Sequence, residues 1–389
     1  IQSGFDALYG LDAESSHSLT GILPFLISPA LLSFLYRECT ALLDFARILD
    51  VNEDREWLLT RKQMLMDAVE KCWNDQSKSY RALDLQAGKV LNAQKISTIK
   101  TNGRISIKKE LLPPGRLFVQ LRPAIPTGHP FAVTLHGRVN GVVISCKMTG
   151  ADFKWHPEGG VVVCGTLFES LDHVTIQGLE AGSVLTLSQP DSSRQGISQC
   201  LPLWAGIPGR ERAAELVTRT LLPRCLTDMG LSNLLRARRG AKFPANARIS
   251  LMWNLFILDG LNQYGFTHEA AEITTALLNR YSEILAETGS LFPALSVDSN
   301  RPVGDADSLI SLVPPEEWIK QLGVEAWSER GMIIQRTNSY FAPTTVVYNR
   351  IKVTFLSNET GIELASGTKQ VVTAPPAKKV LFSPGKEKR

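Results

Sequence analysis

"ISLMWNLFILDGLNQYG", residues 249–265, runs almost without break into "THEAAEITTALLNRYSEILAE", residues 267–287. Both stretches repeat apolar residues at three- and four-residue steps, the period of a helix with one buried stripe. Gly265 stands where the first helix must stop, and Thr267 reads as the N-cap of the second, with Ala270 rather than Glu at its third position. The pair predicts an antiparallel helical hairpin. "RERAAELVTRTLL" (210–222) carries the same spacing upstream. Nearer the start, "ALLSFLYRECTALLDFARILD" (30–50) places Leu31, Leu35, Leu42, Phe45, Ala46 and Leu49 on one apolar face. "REWLLTRKQMLMDAVEKCW" (55–73) follows, opened by Asn52 or Asp54, which makes a second hairpin.

Between these helical blocks the character changes. "RISIKKELL", "GRLFVQLRP", "FAVTLHGRVNGVVISCKM", "GGVVVCGTLF", "HVTIQGL" and "SVLTLSQP" are short, β-branched and punctuated by Gly and Pro. That pattern predicts an inserted all-β sandwich of roughly 100 residues. Asn140-Gly141 predicts a type I′ hairpin turn within it. After the second helical block, "GMIIQRT", "TTVVYNR", "IKVTFLSN", "GIELASG" and "KQVVTA" predict a second, smaller β domain. The expected division is 1–84 helical, 85–198 β sandwich, 199–330 helical, 331–383 β, and 384–389 a charged tail. The fold class is α+β and multidomain.

The chain has 389 residues, and 44% are hydrophobic, enough for packed cores rather than disorder. The net charge of +4 comes with no dense basic stripe interleaved with aromatics, so nucleic acid is not an expected partner. "LLRARRGAK" (234–242), the richest basic stretch, reads as a solvated loop. "GILPFLISPALLSFLY" (21–36) is the longest apolar run, and Pro24 and Pro29 break it, so no membrane span is expected. The sequence assigns no compartment. Six cysteines show no Cys-x-x-Cys pairing, and no two histidines stand at i, i+4, so no metal site is expected. Cys146 and Cys164 both lie in strand-like runs and could meet. Trp155 and Phe153 in "ADFKWHPEGG" could stack on a sugar ring or pack as loop aromatics.

"SGFD" (3–6), "KCWNDQSKSYRALD" (71–84), "LPLWAGIPGRERAAELV" (201–217) and "WNLFILDGLNQYGFTHEAAEI" (253–273), in that order, resemble the catalytic barrel of inverting glycosidases. The nearest groups are glycoside hydrolase family 63, with its processing α-glucosidases and mannosylglycerate-hydrolase-like enzymes, and the trehalases of family 37. The resemblance covers the two helical blocks, about half the chain. It implies a six-hairpin α/α toroid, a carbohydrate substrate, hydrolysis of an α-glycosidic bond with inversion, and no cofactor. It makes Asp6 the general acid, with Phe5, Trp204, Arg248, Trp253 and Asn254 near the sugar.

Two positions depart from the family pattern. The general base, a Glu between aromatics, aligns with Pro293 in "GSLFPALSVDSNRPVGDADSLISL" (289–312), and Leu309 stands where a Trp is expected. Asp298 and Asp305 become the candidate bases. Asp305 and Asp307 also read as a cap for a helix through "LISLV". The Trp-Arg-Gly-x-x-Trp run that lines the family's pocket is altered here to "PANARISLMWN" (244–254). The helical blocks have room for about seven or eight helices of average length. The remainder of a toroid is therefore expected upstream of Ile1, as a missing N-terminal region of the same protein. The rival reading is a carbohydrate-binding protein that kept the scaffold and lost the base.

Overall fold

A computed structural model describes residues 26–307, apart from short loops at 86–87, 91–93, 125–128, 157–158, 190–194 and residue 245, and shorter stretches between 320 and 381. It divides into two compact units, 1–202 and 203–389.

In the first unit, α1 (Pro29–Leu49) and α2 (Arg55–Lys71) form the expected hairpin. Ser28 caps α1 through its side chain, which accepts the Leu31 N–H, and Pro29 follows where no amide hydrogen is needed. Asp50, in the left-handed region, ends it. The apolar face read from the sequence is present, but Leu31, Leu35, Leu42, Phe45 and Leu49 stay exposed. The side of α1 that is buried carries Pro29, Ala30, Ser33 and Cys39.

The β block has seven strands: β1 (Gln94–Ile99), β2 (Gly103–Arg122), β3 (Ala132–Val139), β4 (Val142–Thr149), β5 (Lys154–His156), β6 (Gly159–Gln177) and β7 (Val184–Gln189). Their pairing departs from a two-sheet sandwich. They form one antiparallel sheet in the order β1-β7-β2-β6-β3-β4, with β5 on the free part of β6. Sequence punctuation at Pro113-Pro114-Gly115 suggests two strands. The chain instead runs on as the 20-residue β2, and Leu111–Pro114 bulge out opposite Glu169. The same holds for β6, which absorbs Gly165 and two further register shifts. These bulges let long strands bend, and side chains from β1, β2, β3, β4, β6 and β7 meet in a single core that includes Leu117, Leu135, Phe168 and Leu187. Asn140 (φ 49°) and Gly141 (φ 75°) make the β3–β4 turn as predicted. β1 and β7, the first and last strands, are neighbours with Gln94 opposite Gln189, so the chain enters and leaves the block side by side. Phe153 is buried among this core, stacked on Trp155 at 5.4 Å and edge-on to Phe131, so it packs rather than faces solvent.

A buried ion pair ties the β block to the segment before it. Arg116 on β2 and Asp84 are both fully buried, and the Arg116 Nε donates to the Asp84 carboxylate over 2.6 Å. Arg116 also donates to the Gly165 carbonyl.

In the second unit, α3 (Arg210–Glu215) continues through a π-helical stretch at Leu216–Leu221 into a last turn, Leu222–Cys225. Next come α4 (Leu251–Gln263) and α5 (Thr267–Thr288), the hairpin that the opening stretch predicts. Its cap falls one residue earlier than expected: Phe266 is the N-cap, no side chain caps the helix, and Thr267 is already helical. Gly260 explains the closeness of α4 to the segment before α3. A Cβ there would lie 2.8 Å from the Trp204 nitrogen and 2.9 Å from the Leu203 carbonyl carbon. Backbone cannot yield as a side chain does, so Gly260→Ala should cost about 1–3 kcal/mol, read as a lower urea midpoint with unchanged slope. The expected small C-terminal β region is seen in part. Thr344–Tyr348, Ile351–Phe355, Glu359–Glu363 and Lys369–Thr373 make a four-stranded meander, and Val324–Ser328, Gly331–Ile334 and Lys378–Leu381 a three-stranded sheet. Among the described residues, no helix is long and apolar enough to cross a membrane.

Candidate functional site

Three short strands bring together the two stretches that the sequence reading assigns to a sugar pocket. β8 (Arg248–Ser250) lies antiparallel to β9 (Ala294–Ser296), and β9 to β10 (Pro302–Val303). Arg248 faces Ser296, and Ser250 faces Ala294. Side chains alternate across a strand, so the fully buried Ile249 and Leu295 point into the core while half-buried Arg248, Ser250, Ala294 and Ser296 share the other face. The pairing extends beyond the strands: the Val297 N–H donates to the Ala247 carbonyl, and the Leu251 N–H lies 3.4 Å from the Pro293 carbonyl oxygen. Pro293, at the position aligned with a base, therefore serves as a backbone acceptor at the head of β9. Gly304 lies against its ring, where a Cβ would approach the Pro293 Cγ to 2.6 Å.

The carboxylates of this loop differ in their surroundings. Asp298 is exposed on the turn joining β9 to β10, a turn closed by the Asn300 N–H donating to the Ser296 carbonyl over 3.1 Å. Asp305 is also exposed. The Asp307 carboxylate accepts the Leu291 N–H over 2.9 Å, and its own N–H donates to the Leu291 carbonyl. Asp307 thus clasps the two ends of the loop together. The helix it is expected to cap, and Leu309, lie outside the described residues.

The sugar-contact candidates separate into two kinds. Trp204 is half-buried, and its ring lies 4.8 Å from that of Phe256, which in turn is 6.0 Å from Trp253. Trp253 is buried, so it belongs mainly to the core that α4 helps to build. Arg248 is half-buried, with its main chain fixed by Asn233: the Asn233 Oδ1 accepts the Arg248 N–H, and the Arg248 carbonyl accepts the Asn233 N–H. Asn254 is fully buried. Its Oδ1 accepts the Leu231 N–H over 2.7 Å, and its Nδ2 donates to the carbonyls of Leu231 and Ser250. Both ends of the amide are therefore occupied by main chain. Phe5 and Asp6 lie outside the described residues.

An open cavity of about 300 Å³ lies beside the β9–β10 turn, lined by Asp228, Asn279, Arg280, Glu283 and Asn300 among others. Arg280 spans it, donating to Glu283 over 2.8 Å and to the Asn300 carbonyl over 2.7 Å, so α5 grips the turn that carries Asp298. Sequence reading does not single out these residues, which come from three separated segments with no shared motif. Among the described residues, no group of three or more His, Cys, Asp or Glu side chains could hold a metal ion.

No family model matches the chain, and no curated protein matches it. Solved structures with a similar course include neutral trehalase Nth1 from Saccharomyces cerevisiae, at 11% identity and a TM-score of 0.40, covering 77% of this chain and 38% of that one. An uncharacterized conserved protein from Thermus thermophilus has 13% identity and a TM-score of 0.39, covering 77% and 46%. The GH63 mannosylglycerate hydrolase of Thermus thermophilus in complex with glucose has 13% identity and a TM-score of 0.37, covering 76% and 46%. The chain spans less than half the length of each of these structures.

Proposed function

We propose that this chain is part of a carbohydrate-active protein of the inverting α-glycosidase type, with Asp6 as general acid. The observation that carries the reading is the β8–β9 pairing. It sets Arg248–Ser250 and Ala294–Ser296, some 45 residues apart in sequence, side by side, as one wall of a sugar site requires. In such a protein a helical hairpin is one repeat of an α/α toroid. The exposed apolar face of α1 fits this reading, since a toroid helix buries such a face against further helices. In this mechanism Asp6 protonates the glycosidic oxygen while a second carboxylate, ~6.5–9.5 Å away, draws a proton from the attacking water. Asp298, on a turn braced by Arg280, is the first candidate for that base, and Asp305 the second. No metal or organic cofactor enters such a reaction.

A second reading, a carbohydrate binder without turnover, is favoured by a specific observation. Pro293 occupies the base position, and Asp307, the most firmly held carboxylate of the loop, is committed to Leu291. Hydrolysis of α-glucosides, α-mannosides and trehalose by the full-length protein separates the two. Turnover lost in Asp6→Asn and in Asp298→Asn or Asp305→Asn, with oligosaccharide affinity kept, supports the enzyme. Calorimetric binding of an oligosaccharide with no turnover by the unaltered protein supports the binder. Neither binding nor turnover sinks both.

A further inference from the structure

The geometry points to Cys146 and Cys164 as a reversible oxidation site, a dithiol that closes to a disulfide across the β block when the protein meets a peroxide. The sulfurs of these free thiols lie 2.7 Å apart, one on edge strand β4 and the other on β6. A disulfide is ~2.05 Å long, so closure needs only a small movement of two side chains already facing each other. The four other cysteines, Cys39, Cys72, Cys200 and Cys225, are buried. Cys146 is half-buried on the sheet edge, which gives a small oxidant a way in, whereas Cys164 is almost fully buried behind it.

The surroundings favour a thiolate on Cys164. The hydrogen bond shared with Cys146, hydrogen bonds from the main chain and side chain of Thr166 and the nearby Arg116 charge, against the burial that opposes ionisation, hold the Cys164 thiol below its ordinary value. Cys146 is pushed up by the same hydrogen bond, so it keeps its proton while Cys164 gives one up. A buried thiol without such partners behaves oppositely: burial alone pushes Cys72 up to about 12.

The chemistry balances with hydrogen peroxide as oxidant. The Cys164 thiolate attacks one peroxide oxygen, the O–O bond breaks, and the leaving hydroxide takes up a proton to become water. The sulfur of Cys146 then attacks the sulfenic sulfur of Cys164. The S–S bond forms, the S–O bond breaks, and the departing hydroxide carries off the Cys146 proton as a second water. Two thiols lose two electrons, and one peroxide is reduced to two waters. The bond would fasten β4 to β6 and close the loop that carries β5, Phe153 and Trp155.

Treatment of the folded full chain with one equivalent of hydrogen peroxide at about pH 7.5, followed by thiol counting in denaturant, tests this. The count should fall from six to four and return to six with dithiothreitol. Trypsin cuts after Lys147 and Lys154, so the two cysteines fall in separate peptides that should appear linked in the oxidised sample alone. The Cys164→Ser protein, which lacks the attacking sulfur, should keep its five free thiols under a brief exposure, and oxidation of the parent protein should raise its melting temperature by several degrees. A count that stays at six, a linked pair other than Cys146–Cys164, or loss of thiols to higher oxides without a link would overturn the assignment.

Discussion

Replacing Asp84 with alanine should destabilise the first unit by about 3–5 kcal/mol, the cost of removing one partner of a buried ion pair. Asp84 and Arg116 are both fully buried, and the 2.6 Å contact is charge-assisted on both sides. The substitution leaves the guanidinium in the interior with its carboxylate gone. For a unit of this size the melting temperature should fall by roughly 2–4 °C for each kcal/mol. The double change Asp84→Leu with Arg116→Met should recover most of the loss, because both charges of the pair then leave the core together. The contrast decides the interpretation. If the double variant melts no higher than Asp84→Ala, the pair acts through shape alone and its charge is irrelevant. The Gly165 carbonyl matters to the same experiment. Arg116 donates to it, so in Asp84→Ala the guanidinium stays anchored at one end rather than swinging to solvent.

This ion pair also shows where sequence reading ends. Asp84 closes the segment that follows the first hairpin and Arg116 stands within a strand, 32 positions apart, and no local pattern links them. Periodicity makes the helices legible, because an apolar stripe is written locally at three- and four-residue steps. It also makes the strands legible one by one, and the Asn140-Gly141 turn follows from its need for positive φ at both residues. The same local signals mislead where a bulge imitates a turn. Pro113-Pro114-Gly115 reads as a strand end, yet the sheet carries β2 through it by skipping register. Thr267 reads as a cap one place too far along for a similar reason: capping by side chain is the usual device, and here the helix begins without it. At the candidate site, the juxtaposition of Arg248 with Ser296 could be expected only through the resemblance, since strand pairing across some 45 residues has no local signature. The commitment of Asn254 to main chain is invisible in sequence for the same reason. A polar side chain in an apolar helix announces that it has partners, and says nothing of whether they are ligand or backbone.

Asn254 supplies the second large effect. Asn254→Ala should lower stability by about 3 kcal/mol or more, since each buried polar group left without its partner costs about 1–3 kcal/mol. Three hydrogen bonds go at once: to the Leu231 N–H, to the Leu231 carbonyl and to the Ser250 carbonyl. The loop cannot easily close the gap. Gly230, at φ 130°, already packs so tightly that a Cβ there would sit 2.7 Å from Leu277 Cδ2 and 3.2 Å from the Asn254 Oδ1. Asn254→Asp sharpens the test. Its carboxylate could still accept the Leu231 N–H, but it would have no hydrogen for the two carbonyls and would bury a charge. Burial raises a carboxyl pKa, so the folded protein would favour the neutral acid, which can donate again. The stability that this variant recovers should therefore be fully present below the unfolded pKa of about 4 and be lost as pH rises through the higher folded value. Denaturant titrations at several pH values, set against the parent protein, would show the gap between them narrowing toward acid. A gap that is flat with pH, or an Asn254→Ala protein that unfolds like the parent while losing affinity for oligosaccharide, would return Asn254 to the sugar site and remove it from the scaffold.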